Sequence, residues 1–254
     1  MDLSELCLLG GFFALRTPDT SAVAPAPGGT AAPELPGGAR TGTPPPAGGV
    51  PLARVYAGDT APLTRRVDIV AARHEPPERR VAASIAQLGL AARLWSIALG
   101  AAVLHSRIPD LDPARLHWYP DRTTPDDLWL SRADPLPATA AALREAVQSA
   151  HLDPLADALR RDTRISRQLL RGNSGSALAG AVRQIEEWAR GAGRPDAAAR
   201  ARALAAEIFT GPPLAGTVHG PRMRRRSCCL YYRAPRGGLC GDCVFDRPPS
   251  RTGG

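Results

Sequence analysis

The feature that most constrains this chain lies near its end: Cys228, Cys229, Cys240 and Cys243, spaced C-C-x10-C-x2-C in a stretch rich in Gly, Pro and Arg. Four cysteine sulfurs complete the ligand set of either a tetrahedral zinc ion or a [2Fe–2S] cluster, so a loop carrying all four is tied to one group. Neighbouring residues of an extended chain point to opposite sides, and Cys228 and Cys229 therefore reach one centre only if the backbone kinks. Zinc sites commonly separate paired ligands by roughly two to four residues, a form that only Cys240 and Cys243 have. A two-iron cluster is a larger object on which adjacent cysteines can sit without converging on one small ion. The spacing leans toward iron–sulfur, with zinc held as a structural clip as the alternative.

The run Cys228-Cys229-Leu230-Tyr231-Tyr232, a Pro/Gly loop and then Cys240-Gly241-Asp242-Cys243 resembles the C-terminal signature of the FhuF-like ferric-siderophore reductases. Phe12 to Arg16, Arg93 to Gly100, Leu116-His117-Trp118, His151 to Leu155 and Gly172 to Gly180 also resemble segments of that family, in the expected order. The resemblance thus covers most of the chain outside residues 17–51. One departure bears on substrate preference: the family often has Trp before the Gly-Asn pair, where this chain has Arg171. The resemblance implies a [2Fe–2S] cluster on the four cysteines, a ferric siderophore of hydroxamate type as substrate, and a ferredoxin or flavodoxin as electron donor. Hard oxygen donors favour ferric over ferrous iron, and one electron loosens their hold. Such a reaction needs positioning and electron transfer, with no nucleophile or general base. Arg222, Arg224, Arg225, Arg226, Arg233 and Arg236 would then raise the potential of an anionic cluster or dock an acidic donor; the alternative is a solvated basic tail. A cluster that senses redox state or iron without reducing a chelate is the other reading.

With 254 residues, 44% of them hydrophobic, the chain can bury one full core. A net charge of +8 would ordinarily suggest nucleic acid. Here the basic residues are all arginine, the aromatic share is 5%, and no stacking platform for bases is in view; no nucleic-acid partner is expected. Four of the five cysteines lie together and Cys7 stands alone, unlike a secreted disulfide framework. The apolar run Leu6 to Leu15 follows Asp2 and Glu5 rather than positive charge, against an export signal. The expectation is a cytoplasmic protein in which Cys7 is a small buried hydrophobe. Val81 to Ile108 is apolar enough to suggest a membrane span, but a central Arg93 costs about 2.5 to 3.5 kcal/mol in a bilayer. It reads as one or two core helices, with Gly89 and Gly100 as breaks or close contacts and Arg93 snorkelling or paired with an acid. No transmembrane segment is expected; peripheral association with a membrane stays open.

The fold class expected is mainly α (α+β): a helical domain with a small β-hairpin element and a C-terminal, loop-rich iron–sulfur segment. Residues 1–16 form an N-terminal element packing on the main domain, 17–51 a flexible Pro/Gly-rich insert, 52–221 the helical domain, and 222–254 the [2Fe–2S] segment with a disordered tail. Leu116 to Tyr119 and Leu128 to Leu130 read as a short strand pair. Helices are expected over Ala138 to His151, Pro154 to Leu170 and Ala197 to Phe209, with a further one capped by Asn173 or Ser174 and running past Trp188. Gly211-Pro212-Pro213 ends the last of them. No dinucleotide fingerprint is present, a phosphate loop lacks its lysine, and no nucleophile elbow frames Ser174 or Ser176, which read as caps and surface hydroxyls. His219 lies near the cysteines, but four sulfurs already complete a ligand set; His117 and His151 read as structural. Trp95, Trp118, Trp129 and Trp188 read as core.

Overall fold

A computed structural model describes residues 2–18, 44–76 and 78–249. The expected insert falls largely outside these residues, as does the end of the expected tail. Among the described residues the molecule is mainly helical, with a few short antiparallel strand pairs.

Helix α1 (Leu52–Tyr56) leads to α2 (Ala61–His74) and then α3 (Arg79–His105). Apolar side chains surround α3 on nearly every side, which makes it a central helix rather than a surface one. By length and composition it could cross a membrane, yet it is largely buried inside the protein. Trp95 is fully enclosed, and α3 packs chiefly against α6 (Arg167–Ala192), which in turn packs on α7 (Pro195–Thr210). Gly100 marks a close contact and no break: a Cβ there would lie 2.7 Å from Phe13. Two 3-10 turns, Leu3–Leu9 and Gly11–Phe13, lay Leu6, Leu9 and Phe13 into this groove, each burial stabilising by about 2 kcal/mol. Cys7 departs from expectation and is exposed, because a 3-10 turn repeats every three residues and Leu3, Leu6 and Leu9 already take the inward side.

Arg93 is 1% exposed and pairs through Nε with the Asp127 carboxylate at 2.8 Å. Its remaining N–H groups donate to the carbonyls of Gly11, Phe12, Ala14 and Pro125. A buried charge is tolerable only with such complete pairing, and here the pairing fastens the N-terminal turns and the 120s loop to α3.

The main sheet has the order β1-β3-β4, all antiparallel: β1 (Val50–Pro51), β3 (Leu116–Trp118) and β4 (Leu128–Leu130). The expected hairpin is present with Leu116 opposite Leu130, and Val50 adds an edge opposite Trp118. Strands β2 (Arg107–Pro109) and β5 (Pro135–Pro137) form a second pair. Trp118 and Trp129 are buried and Trp188 is partly so.

The helices after β5 depart from expectation. Thr139 caps α4 (Ala140–Leu143), which continues without interruption through a π-helical stretch, Arg144–Leu152, into α5 (Asp153–Thr163). Pro154 has no N–H for a regular α ladder; the wider turn, with Asp153 N donating to Gln148 O, carries the helix past it. Helix α5 then stops at left-handed Arg164, so the helix expected over Pro154 to Leu170 is two elements. Buried Ile165 sits in the joint, and Leu169 belongs to α6.

Candidate metal centre

Helix α6 starts after Ser166 and passes straight through Asn173 and Ser174, which cap nothing. Asn and Ser favour helix ends because their side chains compete for backbone groups; here those side chains bond to other elements instead. Asn173 Nδ2 donates to the Ser84 carbonyl and hydroxyl, both at 3.1 Å. Ser174 Oγ accepts from Trp95 Nε1 at 3.0 Å and donates to Gln148 at 2.6 Å. Ser176 Oγ donates to Asp242 at 2.6 Å. Both serines are buried, and neither is the surface hydroxyl expected.

Between these polar anchors α6 is bare. A Cβ at Gly172 would lie 1.8 Å from Ser227 Oγ, and one at Gly175 2.2 Å from Thr217 Oγ1 and 2.9 Å from its Cβ. The C-terminal segment lies against this glycine face. It begins with a hairpin of β6 (Val218–His219) and β7 (Arg224–Arg225), and β7 delivers the chain to Cys228 and Cys229. Ser84 Oγ on α3 donates to the Cys229 carbonyl at 2.7 Å. The kink expected at the adjacent pair falls just after it: Leu230 is left-handed at φ 67°. Its N–H turns back onto Cys228 Sγ at 3.2 Å, and that of Tyr231 onto Cys229. Tyr231–Arg233 form a 3-10 turn, which Gly237 approaches so closely that a Cβ would fall 1.9 Å from the Tyr231 carbonyl. Cys240 to Cys243 close a single turn, Cys243 N donating to Cys240 O at 3.0 Å, and Phe245 N points at Cys243 Sγ from 3.5 Å.

The structure thus brings all four predicted cysteines to one place. Cys229 and Cys243 are buried, Cys228 and Cys240 partly exposed, and none is in a disulfide. A hydrogen bond from Cys240, together with the charge of Arg225, holds the Cys229 thiol down to about 7, and giving that bond pushes Cys240 up. Burial raises Cys228. His219 is exposed on β6. Among the described residues no three His, Cys, Asp or Glu side chains converge as ligands of a single ion would.

In the sequence Arg225 is one member of a basic run. It is wholly buried, donates from Nη2 to Asn173 Oδ1 at 2.6 Å and from Nε to the Ser227 carbonyl, and has no carboxylate partner among the described residues. Its Nη1 is buried without any hydrogen bond. A buried cation lacking a counter-charge is costly, and it stands where its field acts on Cys228, Cys229 and Cys240. An anionic group held on those thiolates would supply the missing charge. The donor set therefore fits a four-thiolate cluster. The other arginines divide: Arg224 donates to the Cys243 carbonyl and pairs with Asp246 at 2.9 Å, Arg233 pairs with Glu78, and Arg222, Arg226 and Arg236 are exposed.

His151 and His117 have the structural roles expected. His151 is buried between the Tyr56 hydroxyl at 2.9 Å and the Leu111 carbonyl at 2.6 Å, and His117 Nδ1 lies 3.2 Å from the Arg115 carbonyl.

Residues 225–245 match a family model described as the FhuF 2Fe-2S C-terminal domain. The matched segment runs from Arg225 through all four cysteines to Phe245, and it points to a [2Fe–2S] cluster as the cofactor. No curated protein matches the chain.

Proposed function

We propose that the protein is a ferric-siderophore reductase that adds one electron to the Fe(III) of an imported chelate and releases Fe(II) in the cytoplasm. The observation that carries this reading is the convergence of Cys228, Cys229, Cys240 and Cys243, within the matched segment, around a buried Arg225 that has no counter-charge among the described residues. These four cysteines are the proposed ligands of the [2Fe–2S] cluster. Such a cluster supplies single electrons when bound.

The chain's own contribution is electrostatic and steric. Arg225 offsets thiolate charge, the Leu230 and Phe245 amides point at Cys228 and Cys243, and burial keeps water from Cys229. A proton acceptor or nucleophile has no task here: the substrate iron gains one electron, its oxygen donors hold the ferrous ion more weakly, and a ferredoxin or flavodoxin provides the electron.

The test begins with protein purified without oxygen. The expected product is brown-red and contains iron and inorganic sulfide in equal amounts. Chemically reduced protein mixed with ferric siderophores, hydroxamate and carboxylate, should regain its oxidised spectrum while a ferrous indicator develops. Colourless protein containing zinc would replace the proposal with a structural clip, and reduced protein that no chelate oxidises would make the centre a sensor.

A further inference from the structure

We propose that a cleft beside Cys240 and Cys243 seats the ferric chelate and selects chelates that carry carboxylates. This rests on the reductase reading and adds to it a place and a substrate preference.

The cleft has a volume of about 450 Å³ and is bounded by Arg183 and Glu186 on α6, Arg222 and Arg224 on the β6–β7 hairpin, and the Cys240–Cys243 turn with Phe245 behind it. Its charges do not cancel. Every acid at its wall is engaged: Glu186 by Arg202, Asp246 by Arg224, and Asp242 by Ser176. Among the described residues two cations remain over. Arg183 has one weak bond, at 3.4 Å to the Arg222 carbonyl, and the exposed Arg222 side chain has no acidic partner among the described residues. Two guanidinium groups without counter-ions on a concave wall are a receptor for carboxylate, which they can grip in pairs of N–H···O bonds.

Size separates a small chelate from a protein partner. Small-molecule sites enclose roughly 300 to 1,000 Å³, the range of this cleft, whereas a protein interface needs about 1,600 Å² of buried surface spread over flatter ground. Location completes the case. Cys240 and Cys243 themselves line the cleft, so an occupant would sit against the turn that carries two of the proposed cluster ligands.

The experiment uses the iron–sulfur protein as isolated and gallium(III) chelates, which match ferric chelates in size and charge but cannot be reduced. Calorimetric titration at low salt compares a carboxylate-rich gallium citrate complex with a neutral gallium tris-hydroxamate. The carboxylate chelate is expected to bind roughly ten-fold more tightly. Replacing both arginines, Arg183→Gln with Arg222→Gln, should abolish that difference and leave the visible spectrum unchanged, while Arg160→Gln on the exposed side of α5 leaves both affinities as they were. Equal binding of the two chelates by the unaltered protein would overturn the proposal. So would a preference that survives the double replacement, or a double replacement that slows reduction by a ferredoxin with the preference intact, which would assign the cleft to the donor. Oxidation of the reduced protein by ferric chelates is measured separately: if it persists while the preference is absent, only the site is wrong, and if it never occurs, the reductase reading falls on its own.

Discussion

Arg225 shows how much a single residue can carry. It is the first residue of the matched segment, it joins Asn173 on α6 to the Ser227 carbonyl, and its charge faces three sulfurs. A positive charge stabilises the reduced, more negative form of an anionic cluster. Arg225→Met should therefore lower the midpoint potential by about 60 mV, one decade in a one-electron equilibrium, with Arg225→Lys falling between the two. Spectroelectrochemical titration reads this directly, and an unchanged potential in the methionine variant would deny Arg225 its electrostatic role. In the sequence Arg225 was one of six arginines around the motif, with nothing to separate it from exposed neighbours such as Arg226. The cysteines were legible because their spacing is itself chemistry, but which arginine turns inward depends on the β6–β7 register and on an acceptor at Asn173, some fifty residues earlier in the chain.

Helix α6 shows the same division for a whole element. The small and polar residues from Gly172 to Gly180 pointed to close packing, correctly, and to a helix start, incorrectly. Periodicity reports a face; it does not report what lies against that face, and here the C-terminal segment meets the two glycines while Asn173 and Ser176 bond across the contact. Gly175→Val would press into Thr217 Cβ, which an added Cβ alone would approach to 2.9 Å. Crowding of this kind costs about 1 to 3 kcal/mol, and because Thr217 leads into the hairpin that delivers the cysteines, the strain falls on the metal segment. Iron content after anaerobic purification should drop, while the helical circular dichroism of the rest of the protein persists. Full iron occupancy in this variant would mean that the segment does not depend on the glycine face. The α4–α5 region was legible as helix but not as one continuous helix, since a proline normally signals a boundary and only the π-helical turn carries this chain beyond it.

At the scale of the molecule, the helical class, the hairpin and the central position of α3 followed from composition and pattern. The fastening of the N-terminal turns by Arg93 did not, beyond the expectation of an acidic partner, because its four carbonyl acceptors come from distant parts of the chain. His151 ties α1 to the Leu111 loop in a similar way, and it makes global stability depend on pH. Burial lowers its pKa from 6.5 to about 4, so the folded protein keeps the ring neutral while the unfolded chain takes up a proton as pH falls below 6.5. The stability is complete above that value and declines as pH drops toward 4, by about 1 kcal/mol between pH 7.5 and 5.5. Urea unfolding at those two values should show this decline in the unaltered protein and lack it in His151→Gln; equal declines would rule the histidine out. Finally, Cys229 and Cys243 are buried while Cys228 and Cys240 reach toward solvent, so a group held by all four would have one wet side and one dry side. On the proposed reductase reading, giver and taker of the electron would then approach that wet side in turn, and turnover would proceed in alternate strokes rather than through a three-body encounter.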